Sequence, residues 1–167
     1  MSKKFLQPDI NINDSIKSIS IEVLKKKNIK FILLDVDGTL IPRGELNIHQ
    51  SIKSKIIKLK NHFPIHLISN NPSRSRIEYI STQLNLDFTF RAHKPFINKT
   101  IEVIKHISQP KSNIAIIGDR YYSDIFVGKR LKIFTILVRP IDKNGETCKN
   151  NITQIIEKLI FKLLGLL

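Results

Sequence analysis

A chain of 167 residues is long enough to bury one core and too short for two domains of ordinary size, which implies one fold and one site. With 41% hydrophobic and 25% charged residues, and only 6 Gly and 7 Pro, disordered and collagen-like classes are excluded. The lone Cys148 excludes a disulfide within the chain and a cysteine-based zinc site, and makes a reducing, intracellular compartment (cytoplasm or organelle interior) the default.

A net charge of +14 and a pI near 10.0 would attract any polyanion, whether nucleic acid, anionic lipid or a phosphorylated metabolite. Charge alone does not choose among them, and heavy use of Lys, Ile and Asn, the bias of an AT-rich genome, is a competing explanation. Basic blocks do not exceed Lys25-Lys26-Lys27 and aromatic residues do not interleave with the charges, which argues against a nucleic-acid partner.

In chain order, residues 1–30 read as a leader with one short helix. Its start, Met1-Ser2-Lys3-Lys4-Phe5, has the charge of a signal peptide without the apolar run and small-residue cleavage site that would follow. Residues 31–140 read as the core. Apolar runs at 31–36, 65–69, 114–118 and 133–138, with a weaker one at 88–90, have the pattern of buried parallel strands. Between them lie residues at helical spacing: Ile48, Ile52, Ile56 and Leu59, then Ile77, Ile80 and Leu84, then Ile101, Ile104 and Ile107. This alternation predicts an α/β fold, a doubly wound, mainly parallel five-stranded sheet with helices on both faces. Residues 141–167 read as a polar loop, 142–151, and a helix from about Ile152. No apolar stretch approaches the roughly 20 residues needed to span a bilayer.

The first strand runs into Leu34-Asp35-Val36-Asp37-Gly38-Thr39-Leu40, which delivers two carboxylates to the carboxyl edge of the sheet, where open parallel sheets bind ligands. Alone, such a pair is more often a solvated turn. The run ending Ile117-Gly118-Asp119, with Asp124 beyond it, adds a third carboxylate and completes a plausible oxygen site for Mg²⁺. Ser69, Asn70 and Asn71 supply neutral donors for a phosphoryl oxygen, and Lys94 stands before Pro95 after the next strand.

Together these residues resemble the four motifs of the haloacid dehalogenase superfamily: Asp35-Val36-Asp37-Gly38-Thr39, Ser69, Lys94, and Gly118-Asp119 with Asp124. The resemblance implies a Rossmann-like fold and a phosphatase in which Asp35 attacks phosphorus and Asp37 serves as acid and then base. It further implies Mg²⁺ held by Asp35, the Asp37 carbonyl and Asp119, with Lys94, Ser69 and Asn70 around the phosphate and Asp124 behind Lys94 or the metal-bound water. Only about two dozen residues separate Leu40 from Ile65, or Asn70 from Lys94, so neither gap has room for a cap domain and the site should be open.

More narrowly, the chain resembles the capless YqeG-like phosphatases of subfamily IIIA, related to phosphatidylglycerophosphate phosphatases, through Pro8-Asp9, the segment 24–30, Ser69-Asn70-Asn71, Ala92-His93-Lys94-Pro95 and Thr135-Ile136-Leu137-Val138. It departs from that subgroup at Gly38, where Asn is frequent, and at Lys129 and Lys132, where Asn and Gly are expected. Arg74, Arg76, Arg120 and Arg139 lie near the strand ends, in reach of a second anionic group on a substrate. The stripe Ile152, Ile155, Ile156, Leu159, Ile160, Leu163 and Leu164, with Lys158 and Lys162 beside it, is expected to pack on its own domain; the alternative is an interfacial helix on an anionic membrane.

The functional expectation is Mg²⁺-dependent hydrolysis of a phosphorylated substrate, a lipid headgroup first and phosphatidylglycerophosphate in particular. A soluble sugar or nucleotide phosphate is the runner-up, and a basic adaptor binding nucleic acid or ribosomes is the reading from another class.

Overall fold

A computed structural model describes residues 5–148 and 151–167; the first four residues of the expected leader, and residues 149–150 of the expected polar loop, lie outside them. Six strands form one sheet: β1 (Ile10–Asn11), β2 (Phe31–Leu34), β3 (Ile65–Ile68), β4 (Asp87–Thr89), β5 (Ile114–Gly118) and β6 (Phe134–Leu137). Their order across the sheet is β1-β6-β5-β2-β3-β4 and every pairing is parallel. Parallel neighbours need crossovers, supplied by α2 (Gln50–Lys60), α3 (Arg74–Thr82), α4 (Asn98–Lys105) and α5 (Phe126–Leu131), while α1 (Ile21–Lys26) precedes β2 and α6 (Ile152–Leu163) follows β6.

Side chains of a strand alternate between faces, and the two halves of the core follow that alternation. Ile32 and Leu34 of β2 and Ala115 and Ile117 of β5 join Ile52, Ile56 and Leu59 of α2 and Ile77 and Ile80 of α3 in one cluster. Leu33, Ile114 and Ile116 point the other way, onto Ile104 of α4 and Val127 and Leu131 of α5. Burial on both faces is why these strands read as continuous apolar runs.

The sheet has six strands where five were expected. The extra one, β1, lies in the leader and is only two residues long, too short to leave an apolar run. It pairs Ile10 with Ile136 and Asn11 with Leu137, and Leu6, Ile16, Ile19 and Leu24 of the same segment are fully or almost fully buried. Just before β1, the Asp9 carboxylate accepts hydrogen bonds from the Thr135 amide (2.8 Å), the Thr135 hydroxyl (2.7 Å) and Lys129 Nζ (2.7 Å). Lys129, one of the departures from the resembled subgroup, thus has a partner here. Lys132 adopts the left-handed conformation (φ 58°) at the end of α5, the position where glycine is common.

The C-terminal helix packs on the domain, but not through its apolar stripe. Glu157 and Phe161 face inward, while Ile152, Ile155, Ile156, Leu159, Ile160, Leu163 and Leu164 are exposed. The inward side finds polar partners at the end of β5: Gln154 Nε2 donates to the carbonyls of Asp119 (2.5 Å) and Val138 (2.7 Å), and Glu157 accepts from Arg120 Nε (2.7 Å) and the Tyr121 amide (2.9 Å). Among the described residues no helix is long and apolar enough to cross a membrane.

Burial of Asp9 opposes its ionisation, yet the hydrogen bonds from Lys129 and Thr135 outweigh it and hold the carboxyl below its ordinary range. A depressed acid stabilises the fold above its unfolded pKa and loses that effect as pH falls through the lower folded value. Asp9→Ala is therefore expected to cost roughly 1–3 kcal/mol at pH 7, because it leaves Thr135 donors unpaired, and the difference from the parent should shrink below about pH 3.8. Urea titrations of both proteins at the two pH values measure it.

Candidate active site

The β2 strand stops where Asp35 donates its amide to the Ile117 carbonyl (2.9 Å), and the chain then turns sharply, Gly38 donating to the Ile41 carbonyl (2.7 Å) and Leu40 to that of Val36 (2.9 Å). At Gly38 φ is +96°, and a Cβ there would collide with the Asp119 carboxyl. Glycine in place of the more frequent asparagine therefore suits both the turn and the close approach of Asp119. A side chain at Gly118 would likewise collide with Asp124, which folds back beneath the end of β5.

The centre of the site is Lys94. Its side chain is almost fully buried and its three hydrogens have three acceptors: Asp35 Oδ1 and Asp124 Oδ1, each at 2.6 Å, and the Ile68 carbonyl at 3.0 Å. Burial works against the ammonium charge, but Asp124 and Asp35 outweigh it and raise the pKa of Lys94 above its ordinary value. The other oxygen of Asp35 accepts from the Thr39 hydroxyl (3.2 Å). Burial pushes the Asp35 carboxyl up to about 6, with Asp124 and Asp37 adding to the rise and Lys94 opposing it.

Asp119 is buried beside this pair, and its Oδ1 has no hydrogen-bond partner among the described residues. Burial first, then the charges of Asp35 and Asp124, lifts its carboxyl well above the usual range. Carboxylate oxygens of Asp35, Asp119 and Asp124 all lie within 4.8 Å of one another. Asp124 has both oxygens engaged, Oδ1 by Lys94 and Oδ2 by the Arg120 amide (3.1 Å) and the Ser123 hydroxyl (3.2 Å). The acceptor capacity left over belongs to Asp35 and Asp119, and a hard divalent cation fits that donor set.

Asp37 stands at the mouth. Its Oδ1 pairs with Arg76 (2.8 Å), while Oδ2 has longer contacts with Asn71 Nδ2 (3.3 Å) and the Ser69 hydroxyl (3.5 Å). The Asp37 side chain is thus engaged by Arg76, Asn71 and Ser69, and the metal role expected of this residue is that of its main-chain carbonyl. Ser69 is buried and lines the same cleft of about 200 Å³ as Asp35, Asp37, Asn70 and Lys94. Asn70 has a structural task as well. Both ends of its side-chain amide hold the main chain of Lys94, accepting from its amide and donating to its carbonyl, each at 2.7 Å, which leaves the second hydrogen of Nδ2 toward the cleft that Asn70 lines.

Two of the arginines thought free for a substrate are engaged by protein acids, Arg76 by Asp37 and Arg120 by Glu157 (2.6 Å). Sequence reasoning passed over Arg43, which lines the cleft from the exposed loop after the first motif. It likewise missed Gln154 and Glu157; no spacing in the sequence ties that helix to Asp119. A larger groove of about 740 Å³ runs along β4 from Phe31 and Asp87 to Arg91 and His93, and none of the clustered carboxylates lines it.

The family model described as "Mitochondrial PGP phosphatase" matches residues 1–142. "Probable phosphatase YqeG" of Bacillus subtilis (strain 168) is 31% identical over 142 residues, which cover 84% of this chain and 81% of that protein. "Phosphatidylglycerophosphate phosphatase 1, chloroplastic/mitochondrial" of Arabidopsis thaliana is 27% identical over 153 residues, 86% of this chain but 44% of that protein, so the chain spans less than half of this relative's length. Two solved structures share the fold: an uncharacterized protein from Listeria monocytogenes serotype 4b (TM-score 0.54, 16% identity, 74% of this chain and 84% of that one), and a Vibrio cholerae protein assigned as a 3-deoxy-D-manno-octulosonate 8-phosphate phosphatase (TM-score 0.53, 15% identity, 89% and 93%). With the four motifs gathered at one sheet edge and the family match spanning most of its length, the chain belongs to the mitochondrial PGP phosphatase family, a phosphatase of the haloacid dehalogenase type.

Proposed function

We propose that the chain hydrolyses a phosphomonoester through a phosphoaspartate on Asp35, with Mg²⁺ as cofactor and phosphatidylglycerophosphate as the leading substrate. The observation that carries the reading is the unequal environment of Asp35 and Asp37. Asp35 is buried and fixed from two sides by Lys94 and Thr39, as a nucleophile needs to be; Asp37 stands two residues on, at the cleft mouth, with one oxygen only loosely held.

In the first step an Asp35 oxygen bonds to phosphorus as the ester bond breaks, and the leaving alkoxide takes a proton from Asp37. In the second, Asp37 takes a proton from water, whose oxygen bonds to phosphorus and releases Asp35 and inorganic phosphate. Oδ2 of Asp37 suits this transfer, because Oδ1 is held by Arg76. Lys94 keeps the attacking carboxylate in place and offsets charge on the transferred group, and Ser69 offers its hydroxyl to a phosphate oxygen. Asp35 and Asp119, with the Asp37 carbonyl, would hold Mg²⁺, which supplies charge neutralisation for the phosphoryl oxygens. The family match and the open cleft favour a bulky phospholipid headgroup, and Arg43 at the mouth is a cation placed for its second phosphate.

Asp35→Asn is expected to abolish phosphate release, and Asp37→Ala to lower it by roughly 10²–10⁴-fold, in Mg²⁺-dependent assays on phosphatidylglycerophosphate in mixed micelles and on a panel of soluble phosphomonoesters. Release confined to soluble esters would move the substrate and keep the chemistry. No release from any ester by the parent would sink the reading and favour a basic adaptor.

Cation binding gives a separate test. Because Asp35 and Asp119 are raised, protonation favours the folded state: the effect is complete below about pH 3.8 and is lost as pH rises through the folded values, about 6 for Asp35. In metal-free protein the contribution of this cluster should fall over that window, so Mg²⁺ should raise the melting temperature at pH 7 more than at pH 5, and should do so much less in Asp119→Asn.

A further inference from the structure

The orientation of α6 is the reverse of what amphipathic helices ordinarily adopt on a domain. Gln154 and Glu157, polar and acidic, turn inward and are held by four hydrogen bonds to the segment that follows β5 and to the end of β6. On the opposite side Ile152, Ile156, Leu159 and Leu163 are 69, 50, 56 and 88% exposed, with Ile155 and Ile160 beside them. Apolar residues recurring on one side over three turns form a continuous surface, larger than the scattered exposed hydrophobics of an ordinary monomer.

We infer that this outward face of α6 docks the protein on the surface of an anionic lipid bilayer, lying in the plane of the headgroups. Three observations select a bilayer over other occupants. Lys158 and Lys162 lie along one flank of the apolar face, between it and the buried side, where long side chains reach headgroup phosphates while their stems stay with the acyl boundary. The net charge of +14 draws the chain to an anionic surface and opposes pairing of two copies face to face. Finally, with 12 residues α6 is too short to span a bilayer and is suited to lying on one.

Docking there has a consequence for the site. Gln154 and Glu157 tie the helix directly to Asp119, Arg120 and Tyr121, so a bilayer under α6 lies beside the carboxyl edge of the sheet. The inference goes beyond the reading of the reaction, and its test reads binding without turnover.

The test is flotation of the full chain with vesicles of phosphatidylglycerol and phosphatidylcholine, and with phosphatidylcholine alone. The parent should float with the anionic vesicles, at least tenfold less with neutral ones and less as salt is raised. Leu159→Glu with Leu163→Glu should lower anionic binding at least tenfold while hydrolysis of a soluble phosphomonoester stays at the parental level; Asp35→Asn should bind as the parent does. The sequence contains no Trp, so Ile156→Trp provides a reporter that survives if the double variant misfolds. Its emission should move to shorter wavelength on adding anionic vesicles, and that of Ile57→Trp on α2 should not. Failure of the parent to float, an unshifted Ile156→Trp emission, or a dimer in solution that Leu159→Glu dissociates would each overturn the inference.

Discussion

One buried ammonium organises the carboxyl edge of this sheet. An ion taken out of water carries a penalty of several kcal/mol unless its hydrogen bonds and counter-charges are replaced, and Lys94 has both replaced completely by Asp35, Asp124 and the Ile68 carbonyl. These three come from the ends of three different segments, so the requirement fixes how those ends meet. Asn70 clamps the main chain that carries Lys94, and Gly118 leaves the space in which Asp124 folds back. The nucleophile proposed for the reaction is held by the same bond that satisfies the lysine.

The charges do not balance. Three buried carboxylates, Asp35, Asp119 and Asp124, face one buried ammonium, and Asp119 retains an unpartnered oxygen. In a protein carrying a net +14 this pocket of negative charge is a local exception, which neighbouring arginines relieve only in part: Arg120 and Arg43 act on Asp119 against its burial, but Arg76 is drawn to Asp37 and Arg120 to Glu157. Arranging basic side chains around the cluster, while leaving its centre short of cation, keeps a place for a divalent ion and a positive rim for an anionic substrate.

Much of this was legible in the sequence, for physical reasons. Parallel strands buried on both faces must be continuously apolar, so β2, β3, β5 and β6 stood out, and residues immediately after them had to lie at the ligand-binding edge. That placed Asp35, Asp37, Ser69 and Asp119 without any knowledge of contacts. What remained hidden depended on direction rather than position. The two-residue β1 has no periodicity to read; Asn70 sits at the right edge, yet its amide turns to Lys94; and the pairing of Asp37 with Arg76, far apart in the chain, exists only once α3 is packed.

Direction is also what the apolar stripe of α6 could not supply, since a pattern of exposure along a helix defines a face but not what the face meets. The choice can be argued from the segment beneath it. The Asp119 and Val138 carbonyls, the Tyr121 amide and the Arg120 guanidinium all open toward α6 where the sheet ends, and each would go without its present partner if the helix turned its stripe inward. At about 1–3 kcal/mol for each buried group left unpaired, the two carbonyls and the Tyr121 amide together weigh on the order of 3–9 kcal/mol, and the partly exposed Arg120 adds less. Burying the stripe would return something comparable, since apolar side chains about half exposed each forgo about 1 kcal/mol of transfer free energy. In water alone the two orientations are therefore closely matched, and the inferred lipid surface would resolve the competition by accepting the apolar face while the polar one stays latched to Asp119. Docking of that kind would join membrane contact and active-site geometry through the same few hydrogen bonds.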